Sequence, residues 1–85
     1  MHMGTQQLER PAHLLEEVLM DEALTPREVE VAAGILHRLH RGPTRENFGI
    51  AHDELLGLLG NIDGTTAAYS VRQSLESIDD ILASK

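Results

Sequence analysis

Cysteine is absent from this sequence of 85 residues, and so is tryptophan. The lack of cysteine excludes disulfide bonds and thiolate metal sites, and it is compatible with the reducing cytoplasm. A single domain of this length buries only about 60% of the surface that its unfolded chain exposes, so its core is thin. Because disulfides cannot reinforce that core, a second copy of the chain is the simplest further source of stability, and we expect a homodimer.

Aromatic residues and long apolar runs are also scarce. Phe48 and Tyr69 are the only aromatic residues, and the other apolar side chains are mostly Leu, Ile, Val and Ala. This composition favours helices over strands. No run approaches the roughly 18 apolar residues of a membrane span, and residues 1–10 lack the apolar segment of a signal peptide. We therefore predict a cytoplasmic all-α protein that has no membrane partner.

Basic residues are few: 7 Lys and Arg stand against 14 Asp and Glu, which gives a formal net charge of −7. Nucleic acids attract basic surfaces, so nucleic acid is the less expected partner. The one group of basic residues, called the basic cluster below, consists of His37, Arg38, His40, Arg41 and Arg45. It lacks the interleaved aromatic residues of many nucleic-acid sites. We interpret it as a solvated helix end that contacts an acidic partner protein.

Helical spacing of apolar residues begins after a polar N-terminal stretch. We predict that residues 1–10 form a flexible N-terminus and that residues 11–85 form a single helical domain. The first helix is predicted to begin at Pro11, because the first turn of a helix does not use the N–H that proline lacks. It is predicted to end near Ala23.

The second helix has the most specific start signal in the chain. Residues 25–28 read Thr-Pro-Arg-Glu, the pattern of a capping box. In a capping box the Thr25 hydroxyl accepts from the N–H of Glu28, and the Glu28 carboxylate accepts from the N–H of Thr25. Gly42 and Pro43 predict the end of this helix, with Gly42 as a left-handed cap.

Two further helices are predicted in the second half of the chain. A connector at 44–48 leads to a short helix at about 50–59, and the last helix covers about 66–83. Apolar residues of the last helix fall at alternating gaps of three and four, the spacing of a coiled-coil seam. The seam residues are Ala68, Val71, Leu75, Ile78 and Leu82. The seam suits either a dimer contact or one face of a bundle core. We predict an all-α bundle of three to four helices, forming a homodimer through its C-terminal helix.

No residue pattern indicates an enzyme, a cofactor site or a metal site. His37 and His40 lie one helical turn apart, as zinc ligands can, but Arg38 and Arg41 in the same turn would repel a metal ion. Adjacent acidic residues occur four times, and such neighbours point in different directions on a helix, so we interpret them as solvated. We therefore predict no catalytic residues, no cofactor and no metal ligands.

Two resemblances bear on function. Residues 24–28, Leu-Thr-Pro-Arg-Glu, resemble the opening of the helix-turn-helix of LuxR-type regulators. A basic recognition helix would then follow Gly42, whereas Asp53, Glu54 and Gly57 occupy that region. A small DNA-binding transcriptional regulator is therefore the alternative function.

The second resemblance extends from Leu24 to Lys85. It is carried by Leu24, Glu28, the helix to Leu39, Gly42, Ile50, Leu55, Leu59 and the segment 71–76. In these positions the sequence resembles the YmgB/AriR family of small bacterial biofilm and acid-resistance regulators. The resemblance implies a helical homodimer without catalytic residues. It also implies a connector role, in which the protein contacts a regulatory or signalling protein of a two-component or phosphorelay circuit.

Overall fold

A computed structural model of the chain describes residues 3–62 and 64–83, with side chains described from Leu8 onward. The helices are α1 (Met3–Leu19), α2 (Pro26–Arg41), α3 (Arg45–Ile62) and α4 (Thr66–Ala83). No strand occurs within the described ranges, so the predicted all-α fold is confirmed. None of these helices combines the length and the apolar character that crossing a bilayer requires.

Each helix packs against two others. The backbones of α1 and α3 each lie close to those of α2 and α4, whereas in the described part of the chain the backbones of the diagonal pairs do not approach closely. Arg45 at the start of α3 donates a hydrogen bond to the Leu82 carbonyl near the end of α4. Thr66 at the start of α4 donates to the carboxylate of Asp21, just beyond α1, at 2.7 Å. These contacts and the short connections give an up-down-up-down four-helix bundle.

The core is formed by one apolar face from each helix. Its largest fully buried apolar side chains are Phe48, Leu15, Ile35, Leu39, Leu55 and Ile78. The radius of gyration is 11.9 Å, which is about the value expected for one compact domain of this length. A thin but continuous core therefore joins all four helices.

The seam of the last helix lies inside this core. Ala68, Val71, Leu75 and Ile78 are buried, and Leu82 is partly buried against the same cluster. The seam is therefore a face of the bundle core, which is one of the two interpretations that its spacing allowed. A homodimer stays a prediction, and it would need another surface unless the bundle opens.

α1 begins earlier than the sequence predicted. The predicted start at Pro11 is wrong, because residues 3–10 are already helical; residues 1 and 2 of the predicted flexible N-terminus lie outside the described residues. Leu8 explains the extension, because it lies one turn before Ala12 and two turns before Leu15, and all three side chains are buried. Pro11 consequently lies inside the helix, where it removes one backbone hydrogen bond.

α1 also ends earlier than predicted, at Leu19 and not near Ala23. Asp21 follows directly after the last turn, and its Oδ1 accepts a hydrogen bond from the N–H of Ala23 at 2.8 Å. A short polar side chain that bonds to the nearby backbone competes with the hydrogen bonds of a helix. The chain therefore turns here toward α2.

The predicted start of α2 is confirmed. Glu28 N–H donates to Thr25 Oγ1 at 3.2 Å, and Thr25 N–H donates to Glu28 Oε1 at 2.9 Å. The helix ends at Arg41, directly before Gly42, but Gly42 has φ −157°, so the predicted left-handed cap is wrong. The Gly42 carbonyl instead accepts a hydrogen bond from Asn47 Nδ2 at 2.7 Å, which holds the tight turn into α3.

α3 is longer than predicted, and residues 44–48 are not simply a connector. Thr44 caps the helix, because its Oγ1 accepts from the N–H of Asn47 at 3.1 Å. Phe48 in the first turn is buried in the core. The sequence signal is weaker than that of α2, since an asparagine three residues after the cap cannot return a carboxylate to the cap N–H. α4 has the predicted bounds.

Candidate functional site

The basic cluster lies at the end of the bundle where α2 ends and α3 begins, but its members do not form one surface. His37, Arg38 and Arg41 line a groove between α2 and α3. His40 lines a separate depression between α1 and α2. Arg45 donates to the Leu82 carbonyl at the end of α4. The structure therefore brings together three of the five predicted residues.

The groove between these two helices, called the α2–α3 groove below, has two parts. The basic part has a volume of about 450 Å³ and is lined by Gly34, His37, Arg38, Arg41, Gly42 and Asn47. The mixed part, also of about 450 Å³, has a lining that includes Arg27, Glu28, Val31, Glu54, Gly57 and Leu58. Both parts are open to solvent, so the groove is suited to a macromolecular partner more than to an enclosed small molecule.

An ion pair crosses the groove between its two parts. Arg38 Nη1 lies 2.8 Å from Glu54 Oε1, and the two side chains are 41% and 42% exposed. An exposed pair of this kind contributes about 0–1 kcal/mol to stability, because water screens it. Its main effect on the groove is electrostatic: the charge of Arg38 is already compensated by Glu54.

Arg41 and His37 differ from Arg38 in this respect. Both side chains are exposed, and within the described residues neither forms a hydrogen bond or an ion pair. Arg41 therefore provides an uncompensated positive charge in the basic part. His37 adds a second one when it is protonated.

Two glycines lie on the walls of the groove, Gly34 in α2 and Gly57 in α3. A Cβ atom added to either would meet no atom within 4 Å, so bundle packing does not require glycine at these positions. Glycine in a helix interior costs about 1 kcal/mol relative to alanine. The sequence does not place these glycines on the groove, because they belong to different helices and only the bundle brings α2 and α3 side by side.

The depression between α1 and α2 was not predicted, because half of it comes from the helical N-terminus. It has a volume of about 300 Å³, and its lining includes Leu8, Ala12, Glu16 and His40. Among the residues that the structure describes, no group of three or more His, Cys, Asp or Glu side chains is arranged to hold a metal ion. The depression is a shallow surface lined by Leu8 and Ala12, with two histidines, His13 and His40, in its lining.

Two further sets of polar contacts connect helices. His52 Nε2 lies 2.8 Å from Asp79 Oδ1 and joins α3 to α4. The Thr66 hydroxyl and then the Ala23 N–H donate to the Asp21 carboxylate, and these hydrogen bonds hold its pKa below the ordinary value of 3.8. Both sets of contacts have a structural role.

Comparison with known proteins assigns no family. No family model, no curated protein and no solved structure matches this chain. The resemblance to the YmgB/AriR family therefore stays a prediction, and the α2–α3 groove is the feature from which function is argued.

Proposed function

We propose that this protein is a small non-enzymatic adaptor that binds a regulatory or signalling protein through the α2–α3 groove. One observation carries the proposal: Arg41 is exposed and uncompensated, and the exposed His37 lines the same groove, in a chain whose net charge is −7. Charge complementarity between protein surfaces speeds association and selects partners. A locally basic groove on an acidic protein is therefore a selective contact for an acidic partner.

The resemblance to the YmgB/AriR family supplies the biological part of the proposal. In that setting the protein is a cytoplasmic connector in two-component or phosphorelay signalling, with effects on biofilm formation and acid stress. The same resemblance supports a homodimer. Because the seam of α4 is buried within one chain, the proposed dimer would use a different surface.

Affinity capture from the source cells tests the proposal directly. The full chain is used as bait, in wild type, in Arg41→Glu and in Arg10→Glu. Arg10 is exposed on α1, so its replacement makes the same change of net charge away from the groove. We expect mass spectrometry to find one partner with wild type and Arg10→Glu, and to find it depleted with Arg41→Glu. Equal recovery with all three baits would contradict contact through the groove.

The alternative function is direct binding to DNA, and the same two exposed side chains are the observation in its favour. A gel shift over a range of salt concentrations separates the two functions. Phosphate contacts release counterions, so the affinity of a DNA-binding protein falls steeply as salt rises. Specific binding that weakens in this way, and that Arg41→Glu abolishes, would establish DNA as the partner.

A further inference from the structure

The lining of the α2–α3 groove extends along most of α2, and the Arg38–Glu54 ion pair crosses it between the basic part and the mixed part. Arg27 and Arg41 mark its two ends on α2. At a rise of 1.5 Å per residue these positions are about 21 Å apart, which corresponds to roughly 14 residues of a bound helix. Val31, which is 41% exposed, forms the accessible apolar floor of the mixed part, because Leu58 in the same lining is buried.

We propose that the α2–α3 groove binds one amphipathic helix of a partner protein. The apolar face of that helix packs on Val31, and its acidic residues lie next to Arg41 and His37. A groove between two helices is a common site for an amphipathic helix, whose contacts repeat at three- and four-residue spacing. This inference rests on the proposed function, since it specifies the chemistry of the partner at the same surface.

Charge complementarity selects an acidic helix as the occupant. Glu54 compensates Arg38 across the groove, whereas Arg41 has no ion pair within the described residues. In the mixed part, Arg27 and Glu28 carry opposite charges. The groove is therefore positive at the Arg41 end, where none of the described lining residues is acidic, and of mixed charge at the other end. On a chain with a net charge of −7, the Arg41 end attracts acidic residues that most of the surface repels, and so it fixes the register of the bound helix.

The space above the floor agrees with a bound helix. Gly34 and Gly57 lie on the two walls, and neither position is filled by atoms of the bundle. A partner helix can therefore approach the backbone of α2 and α3 more closely than larger side chains would allow. A side chain introduced at Gly57 should block this approach while leaving the fold intact.

Selection from a peptide library identifies what the groove binds. A library of helical peptides of about 16 residues, displayed on phage, is selected against the immobilised full chain. We expect enriched peptides to carry apolar residues at positions i, i+3, i+4 and i+7, with Asp or Glu toward one end. No enrichment, or enrichment of peptides that lack either feature, would overturn the proposal.

Matched variants locate the binding site. The affinity of an enriched peptide is measured by fluorescence anisotropy. We expect Arg41→Glu to weaken it by about tenfold, or 1.4 kcal/mol, and Arg10→Glu to leave it within about twofold. Gly57→Gln should weaken it similarly, whereas Gly60→Gln, on the same helix but outside the groove lining, should not. Unchanged circular dichroism shows that each variant is folded, and Gly57→Ala is the milder second variant. Equal effects of Gly57→Gln and Gly60→Gln would remove the groove as the site.

Two other occupants are outcomes of the same experiments. Self-association of wild type that Gly57→Gln abolishes would assign the groove to a second copy of the chain and overturn the proposal. Displacement of the peptide by duplex DNA at physiological salt would do the same in favour of nucleic acid.

The failure of this inference can be distinguished from the failure of the proposed function. If peptide selection fails while Arg41→Glu still loses the cellular partner, the inference of a bound helix is contradicted and the adaptor function stands. If a peptide binds in the groove while Arg41→Glu retains the cellular partner, the adaptor function through this surface fails and the helix site stands.

Discussion

α4 and α2 are both amphipathic helices, but they differ in how much of each is buried in the bundle. α4 has seven buried residues and packs against both α1 and α3, and even its Ser74 is buried, with the hydroxyl donating to the Ser70 carbonyl at 2.9 Å. α2 has three buried residues and ends in exposed basic side chains. The difference indicates a division of roles: α4 holds the bundle together, and α2 presents a surface. Substitutions should therefore have large effects on stability in α4 and large effects on binding at the end of α2.

The largest effect is expected from Leu75→Asp in the buried seam of α4. Burying a leucine contributes roughly 1.5–3 kcal/mol, and an unpaired carboxylate in its place adds a further penalty. Small domains have only about 5–15 kcal/mol of stability in total, so we expect the variant to lose its cooperative unfolding transition in circular dichroism. Leu82→Asp is the control, since Leu82 belongs to the same seam but is only partly buried, and its effect should be smaller.

Sedimentation of the same proteins tests the predicted homodimer. A dimeric wild type at tens of micromolar, with Leu75→Asp as a folded monomer, would show that the seam is a dimer contact and would contradict the single-chain core. A wild type that is monomeric at these concentrations would end the homodimer prediction.

A smaller loss is expected at the start of α2. Thr25→Ala removes the hydroxyl that accepts the Glu28 N–H, and loss of an N-cap costs about 1 kcal/mol. Thr44→Ala removes the corresponding bond to Asn47 at the start of α3. We expect both variants to melt at a lower temperature than wild type by a similar amount, because each loses one hydrogen bond to a threonine hydroxyl, and Thr25→Ala keeps the backbone N–H that donates to Glu28. An unchanged melting temperature of Thr25→Ala would show that the cap does not stabilise the bundle.

These two caps also show how far the sequence predicts the fold. The box at Thr25 and Glu28 is local, so its pattern is readable from four residues, and the start of α2 was predicted correctly. The first turn of α3 depends on the burial of Phe48 in the core of the bundle. This burial cannot be predicted from the neighbouring residues in the sequence. In the same way, Leu8 extends α1 only because a neighbouring helix covers it, and a helix gains most of its stability from such packing.

The candidate site was predicted only in part, because some of its features depend on contacts between helices. Sequence proximity placed His37, Arg38 and Arg41 on one helix end, and the structure brings them into one groove. Sequence proximity could not show that His40 lies apart from the other basic residues, in the depression between α1 and α2. It also could not show that Glu54, sixteen residues away, compensates the charge of Arg38. Nor could sequence proximity place Gly34 and Gly57 on the walls of one groove, because that requires the relative position of α2 and α3.

Acid should weaken the contact between the end of α1 and the start of α4. The pKa of Asp21 is lowered in the folded protein, so the stability that this carboxylate provides is present above its ordinary pKa of 3.8 and is lost as the pH falls through the lowered value. Thr66→Val removes the main hydrogen bond to Asp21. We expect its destabilisation, measured as the shift in urea midpoint, to be largest at pH 7 and to shrink at about pH 3.

Thr65→Val is the matched control for this experiment. The Thr65 hydroxyl donates to the Ile62 carbonyl at 2.6 Å, and a carbonyl does not titrate. Its cost should therefore be the same at both pH values. A destabilisation by Thr66→Val that is independent of pH would show that Asp21 is not the partner that gives the Thr66 hydroxyl its effect.

The smallest effect concerns the two histidines near the end of α2, and it should appear in binding. Histidine is the side chain that ordinarily changes charge between about pH 5 and 8, and protonating all five changes the formal charge of the chain from −7 to −2. The sequence predicts that association changes between pH 7 and pH 5.5, with His37 and His40 acting as a pair. The structure divides that pair, because His37 lies with Arg38 and Arg41 in the α2–α3 groove, whereas His40 and Glu16 line the other depression.

A positive charge gained next to an acidic peptide contributes about 1 kcal/mol at 4 Å in water, or about fivefold in affinity. The carboxylates of the peptide are still mostly ionised at pH 5.5. We therefore expect wild type and His40→Gln to bind the selected peptide more tightly at pH 5.5 than at pH 7, and His37→Gln to lose most of this difference. Anisotropy titrations at both pH values measure it, and equal behaviour of the two single variants would remove His37 from any pH response of the groove.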